Sequence, residues 1–592
     1  MSEPVSPGAL VAVDKDSSRA PERIALAIVV VLIGAFLGQV LRFPFLYDDH
    51  WTILENPVVG SLWHLPRLLG TRFAAEGVPD AGRPLMLASA MLDMKLWGIA
   101  PLGFHLQNLF WHASASVLLL LALRHITMSL PMALFGAALF AVHPLNVEPV
   151  AVVNYREDLM VGTLMLAGLI ALAASRRARE GWPVVLRKAL AAVLFLLAAL
   201  AKESAYVAPL LVVLLDCLPP RGLSPVIEAR GLPPGRSGRE WLGDAALAAG
   251  AVGLPFAWRA LAMGQAAMVS TTAEITEQSW FLRLVEANFA FIAGLFHLVD
   301  PRGLSPEYDP TSLDGFGLFM GVLAVLGTIG VGALGFGLRR RAPLVSLGLW
   351  FALIAYLPTL GLVPITNDRA DRYFYLPMMG LVLVVVAGLQ HASDFLNAKL
   401  RKGRPPMAVA GTPVIWLLAA LLITALGLAA RSQSMVWSDE EDMWLATVSR
   451  APQSPRSWVG LASTLLQKRR TLEAQSIALA GLQRFNEEPR LREILGLSYL
   501  NQGSYVSACG ILRLAGDVGS LYERAQRASN VGYCLMTVGR LEEALLSFQK
   551  ARTLAPWFER GWSNAAEALR QLGRDGEARE LMEQLNARNN GR

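Results

Sequence analysis

Charge is scarce in this sequence: Asp, Glu, Lys and Arg make up 17% of its 592 residues, against about a quarter in a typical soluble domain. The shortfall is local, because charged residues nearly vanish from long blocks before about residue 432 and return after it. Cysteine is scarcer still. Cys217, Cys509 and Cys534 form no CxxC pair and have no histidine at zinc-ligand spacing, so neither a structural metal nor a disulfide framework is expected. No small-residue cleavage site follows the polar first 23 residues and the apolar run behind them. That run reads as an anchor that stays in place, with 1–23 as a cytoplasmic tail. The net charge of +6 calls for no nucleic acid, since Arg and Lys sit in short loops between apolar blocks.

Apolar sequence is what the chain has in quantity, at 54%. A helix crossing hydrocarbon needs about 20 mostly apolar residues, and lipid tolerates no open sheet. Spans are expected near 24–43, 104–123, 130–147, 158–175, 184–201, 204–218, 243–262, 316–338, 343–361, 374–391 and 413–431, eleven in all. Segment 84–98, with Asp93 and Lys95, and segment 284–299, with Glu286, Asn288 and His297, read as interfacial helices. Alternate loops carry Arg176, Arg177, Arg179, Arg187 and Lys188, then Arg221, Arg230, Arg236 and Arg239. Arg339, Arg340 and Arg341 follow, and after them Lys399, Arg401, Lys402 and Arg404, whereas the loop 263–282 is acidic. The bias puts the N-terminus in the cytoplasm, and an odd span count puts everything after Arg431 outside it.

After a linker at 432–454, small residues recur at a helix-pair period. Ala474, Ala508, Ala544 and Ala578 mark four units over 455–592. Gly532, Leu535, Gly539, Ala544, Phe548, Ala551 and Pro556 occupy tetratricopeptide offsets, and Ala566, Leu569, Gly573 and Ala578 repeat them. The expected fold is all-α: a polytopic helical membrane domain over 24–431, then an α-solenoid able to hold an extended peptide. Trp437 and Trp444, on the linker, are placed to pack the repeats against the membrane body.

Chemistry points to one membrane face. The first outward loop carries Asp48 and Asp49, adjacent carboxylates whose like charges are costly beside a bilayer. The same face is expected to hold His143, Glu148, Arg156, Glu157 and Asp158, then Lys202 and Glu203, then Asn367, Asp368, Asp371, Arg372 and Tyr373. Lys202 and Glu203 either pair with each other or serve a donor phosphate. His105, Asn108 and His112 share one helix face, a polar stripe for helix packing more than a metal set. Carboxylates beside cations at a membrane mouth suit glycosyl transfer from a lipid-linked sugar phosphate. There a base deprotonates the acceptor hydroxyl, and cations neutralise the leaving phosphate.

Tyr47-Asp48-Asp49, Arg83-Pro84, Gly103-Phe104-His105 with Asn108 and His112, His143-Pro144 with Glu148, Arg156-Glu157-Asp158-Leu159, Lys202-Glu203-Ser204 and Asp371-Arg372-Tyr373-Phe374-Tyr375-Leu376-Pro377 occur in that order. In this the chain resembles the transmembrane and tetratricopeptide-repeat O-mannosyltransferases of the C-type (GT-C) glycosyltransferase superfamily. The resemblance implies an inverting enzyme moving a sugar, mannose by that likeness, from a polyprenyl-phosphate donor to protein Ser or Thr on the non-cytoplasmic side of a bacterial inner membrane. It implies Asp49 as base with Asp48 in support. Glu157 and Asp158 would lie near donor or acceptor, and Arg372 would hold phosphate beside Tyr373. Tyr155-Arg156-Glu157-Asp158 departs from the usual Gly-Arg-Ala-Asp of that loop. No cofactor is implied beyond the lipid-linked sugar, and a divalent metal is left open. The competing readings are a non-enzymatic repeat scaffold for envelope assembly and, with less support, a transporter, for which midplane ionisable residues are missing.

Overall fold

The computed structural model describes residues 20–56, 58–70, 78–127, 129–176, 181–217, 238–263, 280–310, 315–361, 365, 367, 369–400, 413–517 and 521–590. Arg177, Arg179, Arg221, Arg230, Arg236, Asp368, Arg401, Lys402, Arg404, most of the acidic 263–282 loop and nearly all of the N-terminal tail lie outside these residues.

Continuous apolar sequence with no internal break satisfies its own backbone as helix, and the described residues contain helices and turns but no strand. Among the described residues eight helices are long and apolar enough to cross a membrane: Ala20–Arg42, Pro101–Ile126, Arg156–Ser175, Trp182–Ala201, Glu240–Ala262, Gly317–Leu338, Asp371–Ala392 and Val414–Met435. The other expected spans are helical but different. Leu130–Val142 and Pro144–Ala151 form a pair bent by 53°, with His143-Pro144 at the break, and Glu203–Leu215 and Pro343–Thr359 are shorter. Proline removes a backbone donor, which explains the bend.

Burial sorts the bundle. Arg156–Ser175 and Asp371–Ala392 are its centre, with 78% and 67% of their apolar stretches buried, whereas Val414–Met435 buries 17% and offers most of its surface to lipid. The central packing is close because it is built on glycine. A Cβ at Gly348 would lie 2.5 Å from the Gly380 carbonyl oxygen, and one at Gly380 would lie 2.6 Å from that of Gly348. Backbones thus touch directly, the usual device where lipid supplies no hydrophobic drive between helices.

The bundle has two polar ends. Arg176 and Lys188 hold the buried Asp244 at 3.4 and 2.7 Å. At the opposite ends of the same two helices, Glu157 and Asp158 meet Lys202 at 3.0 and 2.7 Å. The 14 residues from Lys188 to Lys202 and the 18 from Asp158 to Arg176 separate these clusters by about 21 to 27 Å along the helices, most of a hydrocarbon thickness.

Beyond the last long helix, Gln39 and Ser434 bond at 2.6 Å, and a linker helix, Glu440–Arg450, begins where Asp439 accepts the amides of Glu441 and Asp442. Trp437 and Trp444 are both buried. Four antiparallel pairs follow: Pro455–Gln467 with Thr471–Arg484, Pro489–Asn501 with Tyr505–Leu514, Leu521–Thr537 with Leu541–Leu554, and Glu559–Gln571 with Asp575–Asn590. Gly532 lets the Phe548 ring lie flat against its helix, and Gly539, at φ +79°, makes the turn between the helices.

One expectation is overturned. Cys509 and Cys534 form a disulfide, linking the second repeat to the third. A gap of 25 residues carries no motif, but helix pairing brings the two Cα atoms to 5.6 Å, within bridging range.

Candidate functional site

The loop after the first long helix turns back at Tyr47, a non-glycine residue at φ +52°. That backbone costs roughly 1–3 kcal/mol and persists only where its surroundings enforce it. The two aspartates that follow have opposite fates. Asp49 is 0% exposed. Its carboxylate accepts the amides of Leu46 at 3.1 Å, Val153 at 3.3 Å and Asn154 at 2.7 Å. Burial pushes its carboxyl up to about 7 against the pull of those amides. Asp49 therefore rivets this loop to the Val153–Asn154 turn. Asp48 is half-buried, and it accepts the Tyr155 hydroxyl at 3.0 Å and the Trp51 indole at 3.3 Å.

Around Asp48 the groups form a connected ring. The Arg372 guanidinium stacks 4.0 Å from the Tyr155 ring centre and pairs with Glu148, whose other oxygen takes the Arg372 amide at 2.8 Å. Beside it lies a denser cluster. Arg83 reaches Asp80 at 3.1 Å, Glu157 at 2.7 Å and Glu203 at 2.9 Å. Lys202 binds Glu157 and Asp158, and Arg259 reaches Glu203 at 3.0 Å. Burial pushes Asp80 up to about 6, with Arg83 opposing and Glu157 and Asp48 adding to the rise. Asp80 also sits at φ +54°, and its Oδ2 is buried without a hydrogen-bond partner among the described residues. On the remaining side, Glu307 accepts the Tyr47 hydroxyl at 3.3 Å and pairs with Arg456 at 3.3 Å.

The residues singled out from sequence thus sort by position. Asp48, Glu157, Asp158, Lys202, Glu203, Arg372 and Tyr373 join this ring, with Lys202 lying 5.8 Å from the Tyr373 ring centre. Lys202 and Glu203 face different partners instead of each other, because the chain turns between a helix end and a tight turn at that point. Arg156 is in the core. It pairs with Asp93 at 2.6 Å and bonds Asn108, Ser89 and the Phe104 carbonyl. These four contacts make it a buried strut between helices and place it away from the ring. His143 is likewise buried, capping the turn through Leu145 N at 3.2 Å and meeting the Leu298 carbonyl at 3.1 Å. Glu148 serves Arg372. His112 sits between the Tyr375 hydroxyl and the Ala141 carbonyl, both at 3.0 Å.

Sequence reasoning missed Asp80, Tyr155, Arg259, Glu307 and Arg456 as ring members, and it quoted Arg83 without assigning it a part. Glu307 carried a signal, since it lies in Ser305-Pro306-Glu307-Tyr308-Asp309-Pro310, a proline-bounded loop after an apolar helix. Arg456 carried none. Among the described residues no group of three or more His, Cys, Asp or Glu side chains is arranged to hold a metal ion.

No family model matches the chain. It is similar to protein O-mannosyl-transferase Tmtc1 of Drosophila melanogaster, at 36% identity over 203 residues, 33% of this chain and 22% of that protein. Tmtc2 of the same organism is 35% identical over 196 residues, 32% and 21% of the two chains. A longer match, to protein O-mannosyl-transferase TMTC4 of Homo sapiens, is 25% identical over 487 residues, 72% of this chain and 61% of that one. The matched part is thus about a fifth of the length of the two fly proteins. Among solved structures, MamA is 19% identical with a TM-score of 0.22, covering 25% of this chain and 91% of its own. Yeast Tom70 is 13% identical with a TM-score of 0.23, covering 79% and 91%.

Proposed function

We propose that this protein is a membrane-embedded glycosyltransferase. It moves a sugar from a polyprenyl-phosphate donor to a hydroxyl of a protein acceptor, at the non-cytoplasmic face, with Asp48 as general base. The observation that carries the reading is the difference between two neighbours. Asp49 has its carboxylate enclosed by three backbone amides, whereas the partly buried Asp48 meets only the Tyr155 hydroxyl and the Trp51 indole, within a ring of cations and tyrosines. This reverses the order expected from sequence, in which Asp49 was the base.

In the proposed step, Asp48 takes the proton of the acceptor hydroxyl as its oxygen attacks the anomeric carbon from the side opposite the phosphate. The bond from carbon to phosphate oxygen breaks, its electron pair leaves with the phosphate, and the configuration inverts. The leaving group is already a stable anion, so it needs cations more than a proton. Arg83, Lys202 and Arg372 are the candidates. Each already holds a carboxylate, so the phosphate enters by exchange with one of those partners. The relatives' names support a protein acceptor and mannose as the sugar. For the side, the disulfide between Cys509 and Cys534 supports an oxidising compartment around the repeats. The cation-rich cluster of Arg176 and Lys188 supports a cytoplasmic opposite end.

The test is transfer of labelled mannose from a polyprenyl-phosphate donor to membrane proteins. Asp48→Asn should lower turnover by roughly 10²- to 10⁴-fold with insertion unchanged, and Asp49→Asn, which loosens the loop without removing the base, should lower it by a smaller factor. Full activity of Asp48→Asn would sink the assignment. Loss of biological function on repeat deletion, with Asp48→Asn fully functional, would favour the scaffold.

A further inference from the structure

The first outward loop is gripped from two directions. On the membrane side, Asp49 takes the amides of Val153 and Asn154. On the outer side, apart from Glu307 at the Tyr47 hydroxyl, the grips come from the linker and the first repeat. His50 Nε2 meets Glu440 at 3.0 Å. The Tyr47 ring packs edge-on against Trp444 with centroids 5.3 Å apart. Arg456, two residues into the first repeat helix, hydrogen-bonds the Tyr47 hydroxyl and the Asn367 side chain and pairs with Glu307. Neighbouring contacts lock the same junction: Gln453 N donates to Asp309 at 2.7 Å, and Arg450 donates to the Leu304 carbonyl.

These contacts converge on the residue whose backbone most needs support. Tyr47 holds a left-handed conformation that a tyrosine rarely adopts, and it immediately precedes Asp48. Its side chain lies between Glu307, Trp444 and Arg456, so relaxing that turn would disturb all three contacts. A change of φ there rotates the Asp48 carboxylate away from the Tyr155 hydroxyl.

We infer that the first repeat helix is part of the catalytic mouth: Arg456 is a positioning residue that holds the Tyr47 turn and so aims Asp48. The inference rests on the glycosyl-transfer reading and deepens it. The repeats do more than recruit an acceptor, since their first helix is a structural component of the base's support. A purely recruiting array would act on acceptor affinity alone, whereas a support acts on turnover.

The test uses the full-length protein in lipid nanodiscs, with Arg456→Ala, Arg456→Lys and, as a control on an exposed repeat pair, Arg513→Ala. Two readouts are taken: amide hydrogen exchange of residues 46–54, and transfer from a polyprenyl-phosphate mannose to a short Ser/Thr peptide. In Arg456→Ala the 46–54 amides should exchange roughly tenfold faster. Its kcat should fall about 10- to 100-fold, the scale of an ångström of misplacement, with KM for the peptide within about twofold. Arg456→Lys should recover part of both effects and Arg513→Ala should match wild type. Unchanged exchange in Arg456→Ala, or a raised KM with kcat intact, would overturn the inference. If wild-type protein transfers no sugar from any such donor, the enzyme reading fails, and the exchange arm still decides the clamp. Should Arg456→Ala not insert, Glu307→Gln and Arg456→Lys carry the same two readouts with the same deciding outcomes.

Discussion

Asp49 is a carboxyl group that folding makes harder to ionise. Its ordinary value is near 3.9 in an unfolded chain, and burial raises it to about 7 in the native protein. The folded state therefore keeps a proton that the unfolded state has lost, and by linkage this group's contribution is fully present below about pH 4 and declines as pH rises to about 7. Thermal midpoints of the full-length protein should fall across that window, and Asp49→Asn, which cannot ionise, should flatten part of the fall. An Asp49→Asn protein with an unaltered pH profile would show that the enclosed carboxylate is not the titrating group. The same residue marks where sequence reading stops. The Asp48-Asp49 pair announces itself beside a membrane exit, but their division of labour is set by the amides of Val153 and Asn154, 104 and 105 residues further on. Lys202 and Glu203 repeat the lesson: adjacent in sequence, they are committed to Asp158 and Arg83 respectively.

At the level of helices, composition was a better guide, because a long apolar block has one low-energy answer in lipid. Among the described residues the expected spans fall on helical sequence, 130–147 on two helices broken at His143-Pro144, and what the blocks concealed was how they end. The His143-Pro144 break and the short Glu203–Leu215 and Pro343–Thr359 helices bring polar residues to the mouth. Arg156 looked like a loop cation because Tyr155-Arg156-Glu157-Asp158 reads as polar; the helix actually begins there, and its first residue turns inward to Asp93. The junction between linker and repeats, besides ion pairs such as Lys468 with Glu441, includes one close approach. A Cβ at Gly460 would lie 2.2 Å from the Trp444 ring, so Gly460→Ala should push the indole out of place. The expected cost is about 1–3 kcal/mol, read as a lower thermal midpoint together with a changed Trp444 environment in fluorescence. A midpoint equal to that of wild type would show that the indole has room to move.

For the whole molecule, the disulfide is the feature that sequence could not offer. Cys509 and Cys534 lack a motif, and only the stacking of the second and third repeats makes them neighbours. Closing a loop of 25 residues restricts the unfolded chain by about 3 kcal/mol in the loop-entropy account. Replacing both cysteines by serine should therefore make the repeats of the full-length protein more susceptible to protease, while reporter fusions should still map them to the same side. Equal protease resistance would mean that the four stacked pairs need no staple.

Tyr47 and Arg456 are 409 positions apart. At ordinary rates of synthesis that distance is about 20 to 80 s of elongation. Through that interval the spans can enter the bilayer while the Tyr47 turn stands without its Arg456 brace. On the proposed reading, a half-made or prematurely terminated polypeptide would meet donor lipid and stay silent until the first repeat helix had been made and had docked on that turn.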